Sequence, residues 1–248
     1  MVKKRKIWIL GATSTIAHAY ARVVAFQSVE LLLVGRNASG LSSNALDLKA
    51  RGAEVDIELI DFVACCEPEV ELKKWVKKFG YPDEILIAYG TIGNHYKSLT
   101  NPNDAKVILD TNFNSIVLWC LAITECCLRD APLNLIVVSS VAGDRGRGSN
   151  FIYGSAKGGL NIFLEGLQHS NNLSLLNVVC VKPGFVKTPM NSERNTDGIL
   201  WAKPEQIALD IHNGTKKKNK IIYTPWFWQP IMVIIKFLPN IIFNKLKI

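Results

Sequence analysis

A wholly apolar run, Leu135–Val138, stops at Ser139-Ser140 and gives way to a Gly-rich turn and a helical pattern that begins near Asn150. Four aliphatic residues bounded in this way predict a buried strand, so strand, turn and helix follow one another closely. Tyr153 and Lys157 stand four residues apart, on one face of that helix. Ser140, at the strand end, precedes Tyr153 by 13 residues, enough chain to fold back opposite it. A hydroxyl, a phenol and an ammonium then converge outside the carboxyl end of a strand, where open α/β sheets take their ligands. A lone Tyr-x-x-x-Lys is ordinarily a solvated helix face. The serine at this spacing and the N-terminal loop described next make it a candidate site.

Ile7–Leu10 is a short apolar strand, and Gly11-Ala12-Thr13-Ser14-Thr15-Ile16-Ala17 leads from it into a helix over Ala17–Phe26. Strand, small-residue turn and helix start form a phosphate cradle, in which backbone N–H groups and the helix dipole face the anion. Small side chains let a diphosphate approach the backbone, so Gly11, Thr13, Ser14, Thr15 and Ile16 are candidate cofactor contacts. The alternative is an ordinary tight turn with a hydroxyl cap. Glu30–Val34 is the second strand, followed by Gly35-Arg36-Asn37 about 20 residues after the glycine loop, where an acid would bind the adenosine 2′-hydroxyl of NAD. No acid stands there. Arg36 offers a planar fork for a 2′-phosphate, so NADP(H) is favoured over NAD(H), with Arg36 and Asn37 on that end of the cofactor.

Ala53–Ile60 predicts a third strand, with Asp61-Phe62 at its end placed for the adenine, and Pro68–Phe79 an amphipathic helix. Glu84–Ala88 is a fourth strand, and from Ala88 to Gly90 the backbone would pass close to the cofactor. One long helix is expected from Pro102 to Cys127, and Asn112 is polar within its apolar stretch. That amide either satisfies itself in the core or holds a water and kinks the helix near Lys157. Leu175–Val181 is a sixth strand, and the turn after it carries Pro183, Gly184, Val186 and Thr188, suited to lie against a nicotinamide and bind its carboxamide. Asn191–Trp201 is polar and Gly-containing, the pattern of a lid over the substrate. Pro204–His212 is a helix and Lys220–Tyr223 a last strand. Alternation without repeat or linker predicts a single doubly wound (Rossmann) α/β domain, a parallel sheet with helices on both faces, over residues 1–220.

The net charge of +8 invites a nucleic-acid reading until it is located. No acid follows Asp210, while Lys216, Lys217, Lys218, Lys220, Lys236, Lys245 and Lys247 all do, so the body is nearly neutral. These lysines stand beside Trp226, Phe227, Trp228, Phe237 and a series of isoleucines, not along a polar groove, which argues against a nucleic-acid partner. Pro225, Pro230, Pro239 and Lys236 interrupt residues 221–248, so that segment lacks the roughly 20 continuous apolar residues a membrane span requires. Aromatics with lysines fit a segment lying in an anionic membrane surface, the alternative being packing on the body or between copies. The six cysteines contain no Cys-x-x-Cys, and His18, His95, His169 and His212 have no ligand spacing, so no metal is expected and the thiols read as reduced. The basic start is followed by only Ile7–Leu10 before Gly11, too short for a signal-peptide core, and a cytoplasmic chain is expected, peripheral on the inner membrane face if the tail binds lipid.

Gly11–Ala17, Asn112, Ser140, Tyr153, Lys157 and Pro183-Gly184 together resemble the short-chain dehydrogenase/reductase family over essentially the whole chain. The resemblance implies an NAD(P)-dependent oxidoreductase: Tyr153 exchanges the proton at the carbonyl oxygen and Ser140 orients that oxygen. Lys157 binds the nicotinamide ribose and lowers the phenol's pKa, and Asn112 anchors a proton-relay water. Thr15 and Ala17 replace two of the family's usual loop glycines, and the usual Asn-Ala-Gly after the fourth strand is Ala88-Tyr89-Gly90. The wording SSVAGDRGRGSNFIYGSAKGGL, GATSTIA and VKPGFVKTPM is further similar to bacterial decaprenylphosphoryl 2-keto-ribose reductases. That similarity implies a keto-sugar substrate on a polyprenyl phosphate in cell-envelope polysaccharide synthesis and an oxidase or epimerase partner. A small carbonyl compound, or a non-catalytic dinucleotide-binding role, is the alternative. Helices near 102–127 and 151–170 are candidates for pairing in a homo-oligomer.

Overall fold

The computed structural model describes residues 4–128, 131–170, 173–189, 198–243 and 245. In chain order the first half contains β1 (Arg5–Leu10), α1 (Thr15–Ala25), β2 (Val29–Gly35), α2 (Ala38–Ala50), β3 (Glu54–Leu59), α3 (Pro68–Phe79) and β4 (Glu84–Ile87). There follow α4 (His95–Thr100), α5 (Pro102–Leu109), α6 (Ser115–Cys126), β5 (Leu133–Val138), α7 (Phe151–Gln168) and β6 (Leu176–Pro183). The chain continues through β7 (Phe185–Val186), β8 (Trp201–Ala202), α8 (Pro204–Lys216), β9 (Ile221–Thr224), α9 (Trp228–Phe237) and α10 (Asn240–Phe243). Seven strands form one parallel sheet in the order β3-β2-β1-β4-β5-β6-β9, and β7 and β8 pair separately. The doubly wound sheet is the one the alternation predicts.

The strands are almost continuously apolar because both faces of the sheet are covered. Side chains alternate along β1. Ile7 and Ile9 enter one core with Tyr20 and Val24 of α1, Leu41 of α2 and Ile211 of α8. Trp8 and Leu10 enter the other with Trp75 of α3, Trp119 of α6 and Leu160 of α7. On this second face an aromatic column runs from Trp8 to Trp75 (5.9 Å between centroids), on to Trp119 (5.6 Å, stacked), then Phe62 (5.2 Å) and Tyr89 (4.5 Å, stacked). Leu10 aligns with Val34 on one side and Ile87 on the other, and Val138 with Val181, so the strands end along one edge. The strand order reverses between β1 and β4. A crevice opens there, outside the carboxyl ends.

One expectation changes. The single helix over Pro102–Cys127 is α5 and α6 joined by one π turn, Asp110–Asn114, in which the Ser115 N–H donates to the Asp110 carbonyl. The break falls on Asn112, whose Nδ2 donates to the Ile108 carbonyl at 2.8 Å, and single π turns of this kind frequently mark functional positions. By length and composition Pro102–Cys126 could cross a membrane, but Ile116, Trp119, Cys120 and Ile123 are fully buried between α3 and the sheet, as in a core helix. The expected last strand is present: Ile221–Thr224 pair with β6 and complete the sheet, carrying it a few residues past 220. Beyond them α9 packs Trp228 and Met232 onto Val141, Phe185 and Tyr223, while Trp226, Ile234 and Phe237, with Ile241 of α10, stay exposed.

Candidate active site

Every strand that ends at the crevice contributes to it. Gly11 follows β1 with φ +83°, and a Cβ there would fall 2.6 Å from the Tyr89 nitrogen, so only glycine lets the two chain crossings approach. The Gly11 and Ala12 N–H groups donate to the Val34 carbonyl, and Asn44 Nδ2 on α2 donates to the Ala12 carbonyl at 3.0 Å. The loop is thus held from two sides. Thr13, Ser14, Thr15 and Ile16 line the cleft at the start of α1, and the Ser14 side chain does not cap that helix. The first N–H groups of an 11-residue helix therefore remain available to an anion.

The cleft is about 480 Å³, within the range of cofactor sites. Gly11, Thr13, Ser14, Thr15, Ile16, Arg36, Asp61, Phe62, Ala88, Gly90, Asn112, Ser140, Tyr153, Lys157, Pro183, Gly184, Val186 and Thr188 all line it. Asn37 does not. Its carboxamide oxygen accepts from the Gly40 N–H at 3.0 Å and the Ser39 hydroxyl at 2.9 Å, so it caps α2. Arg36 and Asp61 face each other across the rim, 3.5 Å apart and both solvated. The expected lid, Asn191–Trp201, lies outside the described residues up to 197, and residues 198–200 are a turn leading into β8. Tyr89, within the Ala88–Gly90 passage expected near the cofactor, lines the cleft; sequence reasoning missed Thr91, Thr111 and Ser139, which also line it beside anticipated neighbours, and Asn44, for which the sequence carries no signal.

At the inner end, the Ser140 hydroxyl and the Tyr153 phenol both line the cleft, near enough for the serine to act on the phenol's pKa. Ser140 Oγ also accepts the Ala142 N–H at 3.1 Å, which seats it at the head of a short turn over Val141–Gly143. A Cβ on Gly143 would lie 2.5 Å from the Lys157 backbone, so this turn packs directly on α7. Desolvation pushes the Tyr153 phenol up, while the Ser140 hydroxyl and the positive charge of Arg147 hold it down. Lys157 is 3 % exposed, donates to the Val138 carbonyl at 3.1 Å and lies 5.9 Å from the Tyr153 ring centre. Burial lowers its pKa to about 8. Asn112 donates to the Thr91 carbonyl at 2.6 Å and accepts the Thr91 N–H at 3.2 Å. The amide pins the loop after β4, where a Cβ on Gly90 would strike its Oδ1 at 2.8 Å. Among the described residues no group of three or more His, Cys, Asp or Glu is placed to hold a metal ion.

Comparison with known proteins places this sheet in a family. The short chain dehydrogenase family pattern matches residues 5–198. An oxidoreductase of Streptomyces coelicolor is 30% identical, over 98% of this chain and 96% of its own length. One from Mycobacterium tuberculosis is 28% identical, over 96% of this chain and 95% of its own. Actinorhodin polyketide ketoreductase, solved with NADPH, superposes with a TM-score of 0.80 at 19% identity, covering 89% of this chain and 95% of that one. A short-chain dehydrogenase/reductase of Burkholderia phymatum, solved with NAD, gives 0.82 at 18%, covering 93% and 92%. The chain belongs to the short-chain dehydrogenase family. It is an oxidoreductase.

Proposed function

We propose that this enzyme reduces a ketone with NADPH, the carbonyl lying between Ser140 and Tyr153. The observation that carries the reading is the convergence of Ser140, Tyr153 and Lys157 on one end of a cleft whose other end is a glycine-built anion cradle. A dinucleotide held in this cleft would supply the hydride. Tyr153 gives its proton to the carbonyl oxygen, and Ser140 orients that oxygen by hydrogen bonding. Lys157, positively charged below its lowered pKa, draws the phenol toward ionisation and binds ribose hydroxyls. Asn112 anchors the water through which the phenol regains its proton. Gly11 and the start of α1 hold the diphosphate, Asp61 and Phe62 the adenine, and Pro183, Gly184, Val186 and Thr188 the nicotinamide.

The phosphorylated cofactor is favoured because no carboxylate follows β2 and Arg36 stands there, exposed and paired only loosely with Asp61. An exposed ion pair of this kind is worth at most about 1 kcal/mol, so a 2′-phosphate can draw Arg36 away. Arg36→Ala should raise the KM for NADPH about 10- to 100-fold, the loss of charge-assisted hydrogen bonds, and leave that for NADH nearly unchanged. Equal effects on both would sink the assignment.

The substrate reading is the 2-keto position of a polyprenyl-phosphate-linked sugar, made by an upstream oxidase or epimerase partner. It is supported by the exposed outer face of α9 and α10 with Lys236, and by exposed Lys245 just after, a surface suited to an anionic membrane. Exposed Leu118 and Leu121 on α6 and Ile162 on α7 support pairing between copies. A second reading comes from relatives described as 3-oxoacyl-carrier-protein reductases, 24% identical in Chlamydia muridarum over 84% of this chain and 88% of that one, and favours a soluble ketone. NADPH oxidation with a prenyl-phosphoryl 2-keto-pentose beside small ketones and 3-oxoacyl thioesters separates the two. Turnover of the lipid-linked sugar alone supports the first; turnover of small ketones alone removes the lipid and leaves the catalytic assignment standing.

A further inference from the structure

Behind the Ser140–Tyr153 pair lies a buried polar cluster that the reaction just described does not use. The Asp144 carboxylate, with 2% of its side chain exposed, accepts from Lys182 Nζ at 2.7 Å and from Asn161 Nδ2 at 3.2 Å on Oδ1. Its Oδ2 accepts from the Tyr223 hydroxyl at 2.7 Å. Asn161 in turn accepts the Ser139 hydroxyl at 2.6 Å. Each partner borders one working part of the cleft. Asp144 is four residues after Ser140, Asn161 is four after Lys157 on α7, Lys182 directly precedes Pro183-Gly184, and Tyr223 sits on the edge strand β9. Desolvation, and the Asp144 charge beside it, push the Tyr223 phenol up, so it stays a donor to that carboxylate.

The neighbouring Arg145 reaches the other way. Its Nη1 donates to the Ile235 and Lys236 carbonyls at 2.9 and 2.7 Å, its Nη2 to Asn240 Oδ1 at 2.8 Å, and its guanidinium lies 4.2 Å from the Phe243 ring centre. It therefore closes the C-terminal end of α9. At the other end of α9, Trp228 occupies the space a Cβ on Gly184 would need, its indole nitrogen 1.8 Å from that point. Asp144 and Arg145 thus tie the serine loop, α7, the nicotinamide turn and the C-terminal segment together.

We propose that Asp144 is a positioning residue: through Lys182, Asn161 and Tyr223 it fixes the Ser140 loop against Tyr153 and against the Pro183-Gly184 turn. The proposal rests on the ketoreductase reading of the site. A buried ion pair adds little net stability compared with apolar residues of the same size, so its use here is in fixing one arrangement. Geometry is what this reaction needs, since a displacement of about 1 Å between reacting groups costs about 100-fold in rate.

Asp144→Asn keeps the side-chain size and removes the charge. It should lower kcat about 10- to 100-fold with NADPH affinity unchanged, as a misplaced serine does. The pH profile gives the reading a structural role would not move. Reduction needs the Tyr153 phenol protonated, so activity falls as pH rises through its pKa, and the Ser140 hydroxyl holds that pKa down. With Ser140 displaced, the alkaline limb should move to higher pH. Tyr223→Phe, which removes one hydroxyl, should shift both quantities in the same direction by less. Lys182→Met added to Asp144→Asn should cost no more than either alone. A folded Asp144→Asn with wild-type kcat, or with lower kcat and an unmoved alkaline limb, overturns the proposal. If wild-type protein reduces none of the ketones, the ketoreductase reading fails instead. Amide exchange then decides: acceleration confined to residues 140–143 and 183–186 in Asp144→Asn upholds the positioning role, and exchange that is unchanged or raised throughout the sheet overturns it.

Discussion

The two ends of this sheet each bury a charge and treat it in opposite ways. At the amino end, Glu84 is fully buried and saturated, with Arg5 Nη2 at 2.7 Å and the buried Tyr20 hydroxyl donating to its other oxygen. Desolvation raises the Glu84 pKa, and Arg5 opposes it. At the carboxyl end, Lys157 is equally buried, yet among the described residues no carboxylate pairs with it and its acceptor is the Val138 carbonyl. A saturated buried charge is a structural joint. An unsaturated one is held ready for something the chain does not itself contain, and it stands where the small residues leave room for that ligand.

The contrast can be broken by exchanging the two outcomes. Lys157→Met should lower kcat about 10²- to 10⁴-fold, the range for a group acting on a proton-transfer step, without lowering the thermal midpoint, because it removes a charge the fold buries unpaired. A midpoint several degrees below wild type would show Lys157 to be structural. Glu84→Ala should do the reverse. Leaving Arg5 and Tyr20 without their partner should cost about 3–5 kcal/mol, a fall of about 6–20 °C at this chain length, with turnover per folded molecule preserved. The smallest effect sharpens the comparison through pH. The folded-state pKa of Lys157 is about 8 against an ordinary 10.5, so between those values the unfolded chain binds the extra proton. Folding then releases a proton, and stability grows with pH. Thermal midpoints of wild type should therefore gain on those of Lys157→Met as pH rises through this window, a difference in which the cysteines and tyrosines common to both proteins cancel. A constant difference would place the lysine in contact with water.

Residues that act through one chain-local pattern were legible before the structure. Gly11 after a strand, Ser140 at a strand end and Tyr153 with Lys157 on one helix face each follow from periodicity and spacing, and all meet in the cleft. Asn37 stands outside the cleft lining and caps α2, because an asparagine before a helix is as well suited to capping as to a ligand. The polar residues of the π turn, Asp110, Thr111, Asn112 and Asn114, suit the surface of a continuous helix equally well, and so a single helix is the natural reading of the sequence. The Asp144 cluster joins positions 139, 144, 161, 182 and 223, which no local periodicity relates. The tail gave an ambiguous signal because its helix uses both faces: Trp228 and Met232 look inward, Ile234 and Phe237 outward.

The aromatic column on the second face of the sheet has an optical consequence. Of the six tryptophans, Trp8, Trp75 and Trp119 belong to this column, which reaches the cleft through Phe62 and Tyr89. The other three, Trp201, Trp226 and Trp228, gather around Phe185, Phe227 and the C-terminal helix. Indole emission overlaps the absorption of a reduced nicotinamide, so the first set can pass excitation to a dinucleotide lying against the column. The second set, with Trp226 exposed, answers to the polarity around the C-terminal surface. The fold thus carries one set of tryptophans that reports on the cleft through the column and a second in which Trp228, against Gly184, borders the cleft while Trp226 answers to whatever touches the tail.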